Sequence, residues 1–278
     1  MNTMKKQKLT DFRTLLPGLL FRERVFRKLL PVMLVAAIYA IIVVHADKSP
    51  GYVQKLASPD LGQFHLMFSF ILTIVIGFRV NTSYSRWWEA RILWGGITNN
   101  CRNLALKFNA FVGLADYPAF CVALQQLPLV IKGVLRRTET DGAAMRHIKT
   151  LYATVNDLRN EDVIRMEQYL ALDVHIANLM DLTGGCERIR NTPSPRAYAL
   201  FVKQTLFFYT LMFPFGWVDR FGFLIVPIML MMVYILLGLE MLSEELEEPF
   251  SSDDTGLRLD EIANNIAKNV EKIACGVE

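Results

Sequence analysis

Residues 221–239 read FGFLIVPIMLMMVYILLGL, a run without a single charge. A bilayer core about 30 Å thick takes about 20 apolar helical residues, so this run is long enough to cross one. Outward from it lie three more apolar stretches, Leu29–Ala46, Phe64–Phe78 and Thr205–Val218. The first reaches full length when Ala46 and the alkyl stem of Lys28 count as interfacial. The other two are short, and the last is interrupted by Pro214 and Gly216. Such spans are tolerated where neighbouring protein satisfies the freed backbone groups. Over all 278 residues 53% are hydrophobic and 21% charged, an apolar excess over a soluble domain. The expected fold is all-α, with four transmembrane helices and a helical cytosolic portion.

Charge sets the orientation. Lys5, Lys6, Lys8, Arg13, Arg22, Arg24, Arg27 and Lys28 precede the first span, whereas the loop after it holds only Lys48 and Lys55. The positive-inside bias therefore places residues 1–28 in the cytosol. Spans one and two occupy 29–78. Arg79, Arg86, Arg91 and Arg102 follow the second span on the cytosolic side, opening a segment expected to stay there over 79–203. Residues 204–243 form a hairpin of spans turning outside near Asp219 and Arg220, and 244–278 form a cytosolic C-terminal segment. The basic N-terminus lacks the apolar core and cleavage site of a secretory signal, so the first span is expected to be retained.

The middle segment reads as amphipathic helix, with Leu151, Val155 and Leu158, then Met166, Leu170, Val174 and Leu179, at three-to-four spacing. Asp141-Gly142, Gly184-Gly185 and Pro193-Ser194-Pro195 are turn signals between its parts. A net charge of +3, dispersed along the chain, excludes a nucleic-acid partner. Cys101, Cys121, Cys186 and Cys275 lack any C-x-x-C spacing and are expected as free thiols. Neither H-E-x-x-H, a phosphate-binding loop nor G-x-S-x-G occurs, so no enzyme is expected.

Within the second span Phe70, Ile74 and Phe78 recur every four residues and share one helix face; Ser69, Thr73 and Gly77 form a small-residue stripe beside it. Small residues let helices approach closely in lipid, so this stripe is expected at a helix contact. If several copies surround an axis, the bulky stripe makes a narrow apolar neck of the type that gates by dewetting. The competing reading, in which the stripe faces lipid or packs within one chain, has the same periodicity.

The next motifs separate the two. Gly77-Phe78-Arg79, Arg86-Trp87-Trp88, Gly185-Cys186-Glu187-Arg188-Ile189 with Thr192-Pro193, and Glu244-Glu245-Leu246-Glu247-Glu248-Pro249-Phe250 with Leu257 to Asp260 occur in that order. The chain resembles the bestrophin family of channels, and its bacterial branch more closely, over nearly its whole length. The resemblance implies a homopentamer with an axial pore, a neck of Phe70, Ile74 and Phe78, and a cytosolic aperture at Ile189. No cofactor is expected, and the resemblance implies as partners only further copies of the chain, membrane lipid and small inorganic ions. It also implies a multi-pass protein of the bacterial inner membrane with both termini cytoplasmic. The assignment is firmest at Phe78, which lies inside a quoted motif.

Arg86, Trp87 and Trp88, just past the second span, are read first as interfacial anchors and packing residues, with a part in gating as the functional alternative. His45 and His65, flanking the external loop, are read as interfacial residues. Met229, Met231 and Met232 are read as packing or lipid-facing side chains. In vertebrate members a calcium clasp occupies the tail region of Asp253 and Asp254; here Thr255-Gly256 stands where a denser acidic cluster belongs, so a solvated acidic face is the plainer reading. The expected function is passive conduction of small monovalent ions, anions by resemblance, with cations such as sodium left open for the bacterial branch. The alternative from another class is a non-conducting membrane scaffold or receptor whose cytosolic helices bind a partner.

Overall fold

The computed structural model describes residues 24–47, 59–253 and 255–276. Among them are eight α-helices: α1 (Arg24–Asp47), α2 (Pro59–Val112), α3 (Pro118–Leu135), α4 (Ala143–Asn160), α5 (Met166–Asn191), α6 (Arg196–Phe221), α7 (Ile225–Glu247) and α8 (Leu259–Ala274). No strand occurs among the described residues. The chain divides into two compact units, one of residues 1–82 and 195–244, the other of 83–194 and 245–278. Residues 1–23 and 48–58, which carry most of the basic residues used to orient the chain, lie outside the described residues, as does Asp254.

In the first unit, α1, α6 and α7 share a core of Ala36, Ala40, Val44, Phe213, Ile225, Met229 and Val233. A second cluster, Leu72, Ile76, Val202, Leu206 and Tyr209, joins α2 to α6. The expected interruption at Pro214 and Gly216 does not occur, because α6 runs unbroken through both residues. Gly216 has a packing role instead. A Cβ added to Gly62 would stand 2.8 Å from the Gly216 carbonyl oxygen, and one added to Gly216 would stand 3.2 Å from Gly62 Cα. The helices cross there at backbone distance, as membrane helices do where both residues are small. The turn between α6 and α7 also falls later than expected: Asp219 and Arg220 end α6, and the reversal is a 3₁₀ turn, Gly222–Leu224, opened by Gly222 at φ +52°. Only glycine takes that conformation without strain.

α2 begins with Pro59 and Asp60, a residue pair suited to a helix start because proline needs no N–H partner there and a carboxylate faces the positive helix end. Nothing stops it for 54 residues. At 1.5 Å per residue it is about 80 Å long, more than twice a bilayer core. The expected span, 64–78, is therefore only the first part of a helix that continues into the second unit's residues.

In the second unit, α2 from Ala90 onward, α3, α4, α5 and α8 enclose one continuous core that includes Trp94, Leu104, Phe108, Phe120, Leu151, Leu172, Ile176 and Ile266. Phe108 and Phe120 stack with centroids 3.8 Å apart. Cys101 and Cys186 are free and buried, and burial pushes both thiols up to about 12. Asp260 at the start of α8 receives Lys132 Nζ at 2.9 Å and Arg136 Nη1 at 2.6 Å, fastening α8 to α3.

By length and composition, four stretches of the described residues can cross a membrane: Val25–Asp47, Asp60–Val112, Pro118–Leu135 and Arg196–Glu247. The last holds both α6 and α7. The third, α3, is not among the spans expected from sequence. Its apolar residues Phe120, Leu124, Leu127 and Ile131 are buried in the second unit's core, which accounts for its hydropathy without lipid.

Candidate functional site

The expected neck residues lie on α2, turned away from their own unit's packing. Phe70, Ile74 and Phe78 are 69%, 44% and 65% exposed, while Leu72 and Ile76, from the other side of the helix, are buried against α6. The stripe is uncharged and exposed among the described residues. In the small-residue stripe beside it, a Cβ on Gly77 would meet nothing within 4 Å, whereas Ser69 lies against Tyr209 of α6. Ser69 Oγ donates to the Leu66 carbonyl at 2.6 Å and Thr73 Oγ1 to the Ser69 carbonyl at 2.8 Å, so both hydroxyls are satisfied by their own helix.

One residue past Phe78, Arg79 is buried with its Nε 3.4 Å from Oε2 of Glu240 on α7. Charges inside a membrane unit are expensive and persist where they pair. Glu240 escapes a motif search, yet the sequence signals it as the first acid after the uncharged run 221–239. His65 is buried and stacked on Tyr209, centroids 4.0 Å apart, with Phe213 edge-on at 5.2 Å. His45 is exposed and meets Phe223 edge-on.

In the second unit Arg86 gathers chain ends. Its Nε donates to the Glu247 carbonyl at 2.9 Å, its Nη1 to the Thr192 carbonyl at 2.7 Å, and its Nη2 to the Ile189 carbonyl. These carbonyls belong to the ends of α7 and α5, where the helix leaves its last oxygens without partners. Burial lowers the Arg86 pKa, and Glu247, Glu89 and Glu248 work against that shift. Trp87 Nε1 donates to the Thr255 carbonyl at 3.1 Å, and Trp88, exposed, stacks on Tyr84 with centroids 6.3 Å apart. Arg86 and Trp87 are thus structural ties within this unit.

Ile189 is placed differently from the expectation. Residues 172, 176, 179, 183, 186 and 189 of α5 form its buried face, and Ile189 is 4% exposed in the unit's own core. An aperture formed by its side chain would require that face to leave the core. The opposite side of α5 borders an open groove of about 650 Å³ against α2, lined by Leu93, Gly96 and Asn100 across from Asp181, Leu182 and Arg188. Leu182 Cδ2 lies 2.8 Å from a Cβ built on Gly96, and Leu93 Cδ2 lies 3.0 Å from one built on Gly185. Each leucine fits the gap left by the other helix's glycine. Arg188 Nη2 meets Glu89 Oε1 at 2.8 Å at its rim.

Asp253 is exposed in the turn before Leu257, and its carbonyl accepts the Gly256 N–H at 3.0 Å. Among the described residues no three His, Cys, Asp or Glu side chains gather to hold a metal ion.

Helices long and apolar enough to cross a membrane, joined to a helical second unit, mark an all-helical membrane protein. The chain belongs to the bestrophin family: residues 3–153 and 132–272 match the family described as Bacterial/Fungal Bestrophin protein. It is 31% identical over 267 residues to a voltage-dependent anion channel-forming protein of Mesorhizobium japonicum, covering 87% of this chain and 83% of that one. A protein of the same description from Ralstonia nicotianae is 30% identical over 211 residues, covering 68% and 69%. The crystal structure of a bacterial bestrophin homologue from Klebsiella pneumoniae shares the fold with a TM-score of 0.81 at 23% identity, over 88% of this chain and 98% of that one.

Proposed function

We propose that the chain assembles into a homopentamer and conducts small monovalent anions across a bacterial inner membrane. In this reading each copy turns Phe70, Ile74 and Phe78 toward a shared axis as a neck, the second unit and both termini lie in the cytosol, and Gly77 sits at the contact between copies. The observation that carries it is the exposed, uncharged stripe on α2 in a chain of this family. Relatives described as anion channel-forming support the ion's sign. An apolar neck carries neither carbonyl nor charged rings, so it excludes ions by dewetting and leaves the choice of sign to charges elsewhere along the path. In this reading the second constriction is formed by Leu182, half-buried on α5 beside the open groove, rather than by Ile189, which is 4% exposed.

The test is the purified chain in planar bilayers. Currents are expected whose reversal potential under asymmetric sodium chloride moves toward that of chloride; movement toward sodium would replace the anion reading with a cation one. Phe78→Ala or Ile74→Ala should raise conductance or open probability several-fold, and Leu182→Ala should alter it less. Silent bilayers together with a monomer or dimer mass in detergent would favour the scaffold reading.

A further inference from the structure

On the side of α2 away from the α5 groove, the second unit holds another cavity. Its α2 wall is set by residues 91, 95, 98 and 102, offset by two positions from 93, 96 and 100, so the two cavities lie on nearly opposite sides of the helix. The facing wall is α8. The space is an open cleft of about 630 Å³, and the exposed Arg91, Arg102, Lys268 and Lys272 border it without one carboxylate in its lining. Some cations elsewhere in this unit meet acids: Lys132 and Arg136 share Asp260, Arg190 meets Asp141, and Arg188 meets Glu89. The four at this cavity form no ion pair with any described residue.

The remaining lining has the same sense. Asn99, Asn265 and Asn269 bring amide donors between the cations, while the Thr98 hydroxyl donates to the Trp94 carbonyl of its own helix. Arginine and lysine donate only, so the site offers many donors and few acceptors. Lys268 and Lys272 stand four residues apart on α8, a like-charge spacing that weakens a helix unless an anion relieves it. Gly95 keeps the α2 wall low between Arg91 and Thr98.

We infer that this cavity binds a compact anion bearing several phosphate groups. Phosphate oxygens are acceptors, and they match arginine forks and lysine ammonium groups at short range. A volume of this size lies in the range of small-molecule sites and far exceeds a halide. Ile262 is the one apolar side chain of length in the wall, and no aromatic ring lines it, so nothing there would hold a nucleobase. The charge itself is what the site recognises. The source is either a soluble polyphosphate or a phosphate-rich lipid headgroup.

The experiment titrates inorganic triphosphate into the purified full chain by calorimetry, without reference to current, so its outcome is independent of the channel reading. One site per chain is expected, weakening steeply with salt. Arg102→Gln and Lys268→Gln should each lower affinity by about tenfold, the cost of one charge-assisted contact. Lys149→Gln, an exposed cation on α4, should leave affinity unchanged, and unaltered melting of the free variants shows that each is folded. Equal triphosphate affinity in nanodiscs containing cardiolipin, whose headgroup bears two phosphates, and in nanodiscs of zwitterionic lipid identifies the soluble source; competition confined to the cardiolipin discs identifies the headgroup. No binding to the wild-type chain, or binding indifferent to both variants, overturns the proposal. Absence of binding with a smaller oligomer mass for the variants overturns it in favour of acids from a second copy filling the cavity.

Discussion

The two units place their largest side chains in opposite directions. In the second, Trp94, Phe108 and Phe120 are enclosed, and one core runs through five helices. In the first, Phe64, Phe70, Phe78, Phe201, Phe207 and Phe208 are exposed, and the buried positions include alanines, valines and glycines. Water explains the second arrangement, since removing apolar area from it drives folding at about 25 cal/mol per Å². Lipid explains the first. Tails as apolar as leucine supply no such drive between helices, so close backbone approach and paired charges hold the unit together. The same residue type therefore does different work in each half, and substitution can test the division.

The largest effect should come from the soluble-type core. Phe108→Ala removes a fully buried ring stacked on Phe120, and such truncations cost about 3–5 kcal/mol. Chemical denaturation of the purified chain should show the loss. Phe78→Ala, on the exposed stripe, should change stability by less than about 1 kcal/mol. Equal losses from the two would erase the distinction between the units.

Much of this division was legible. Uncharged runs of near-bilayer length marked the spans, and the spacing of Leu151, Val155 and Leu158 marked the buried face of α4, whereas Met166, Leu170 and Val174, read as the apolar stripe of α5, are exposed. What failed did so for definable reasons. A hydropathy run stops at Arg79, whereas helix propensity does not, so α2 was read as a short span when it continues to Val112. Proline and glycine in α6 looked like a break because nothing in the local sequence reveals that Gly216 faces Gly62. A likeness along the chain does not say which face a residue takes, so that Ile189 lies in the buried register of α5 was not legible from its motif. Arg86 was marked by its motif, yet its acceptors are backbone carbonyls, which have no residue identity to search for.

The crossing of Gly62 and Gly216 sharpens the comparison from the membrane side. Gly62→Ala would put a methyl group 2.8 Å from a backbone oxygen, and a backbone atom cannot rotate away as a side-chain tip can. Overpacking of this kind costs about 1–3 kcal/mol. The loss should appear as earlier thermal unfolding in detergent, confined to the first unit when followed by hydrogen exchange. Gly184→Ala, whose Cβ would meet nothing within 4 Å, is the control in the second unit and should stabilise α5 slightly or leave it unchanged.

The smallest expected effect belongs to charge at the second unit's surface. Hydrogen bonds from Lys132 and Arg136 hold the Asp260 carboxyl down at about 2, below its ordinary value near 4. A carboxyl whose pKa is lower in the folded state adds stability above its unfolded pKa and loses that contribution as pH falls through the folded one. The tie between α8 and α3 should therefore weaken between about pH 4 and pH 2 and stay constant above that window. Asp260 is largely exposed, so solvent screening limits the contribution to less than about 1 kcal/mol. Hydrogen exchange of α8 amides, corrected for intrinsic rates, is the measurement. Protection that falls across the window in the wild-type chain and stays flat in Asp260→Asn locates the effect at this residue. A parallel fall in both would assign it to other carboxylates and leave the hold on α8 to its buried face, Leu259, Ala263, Ile266 and Val270.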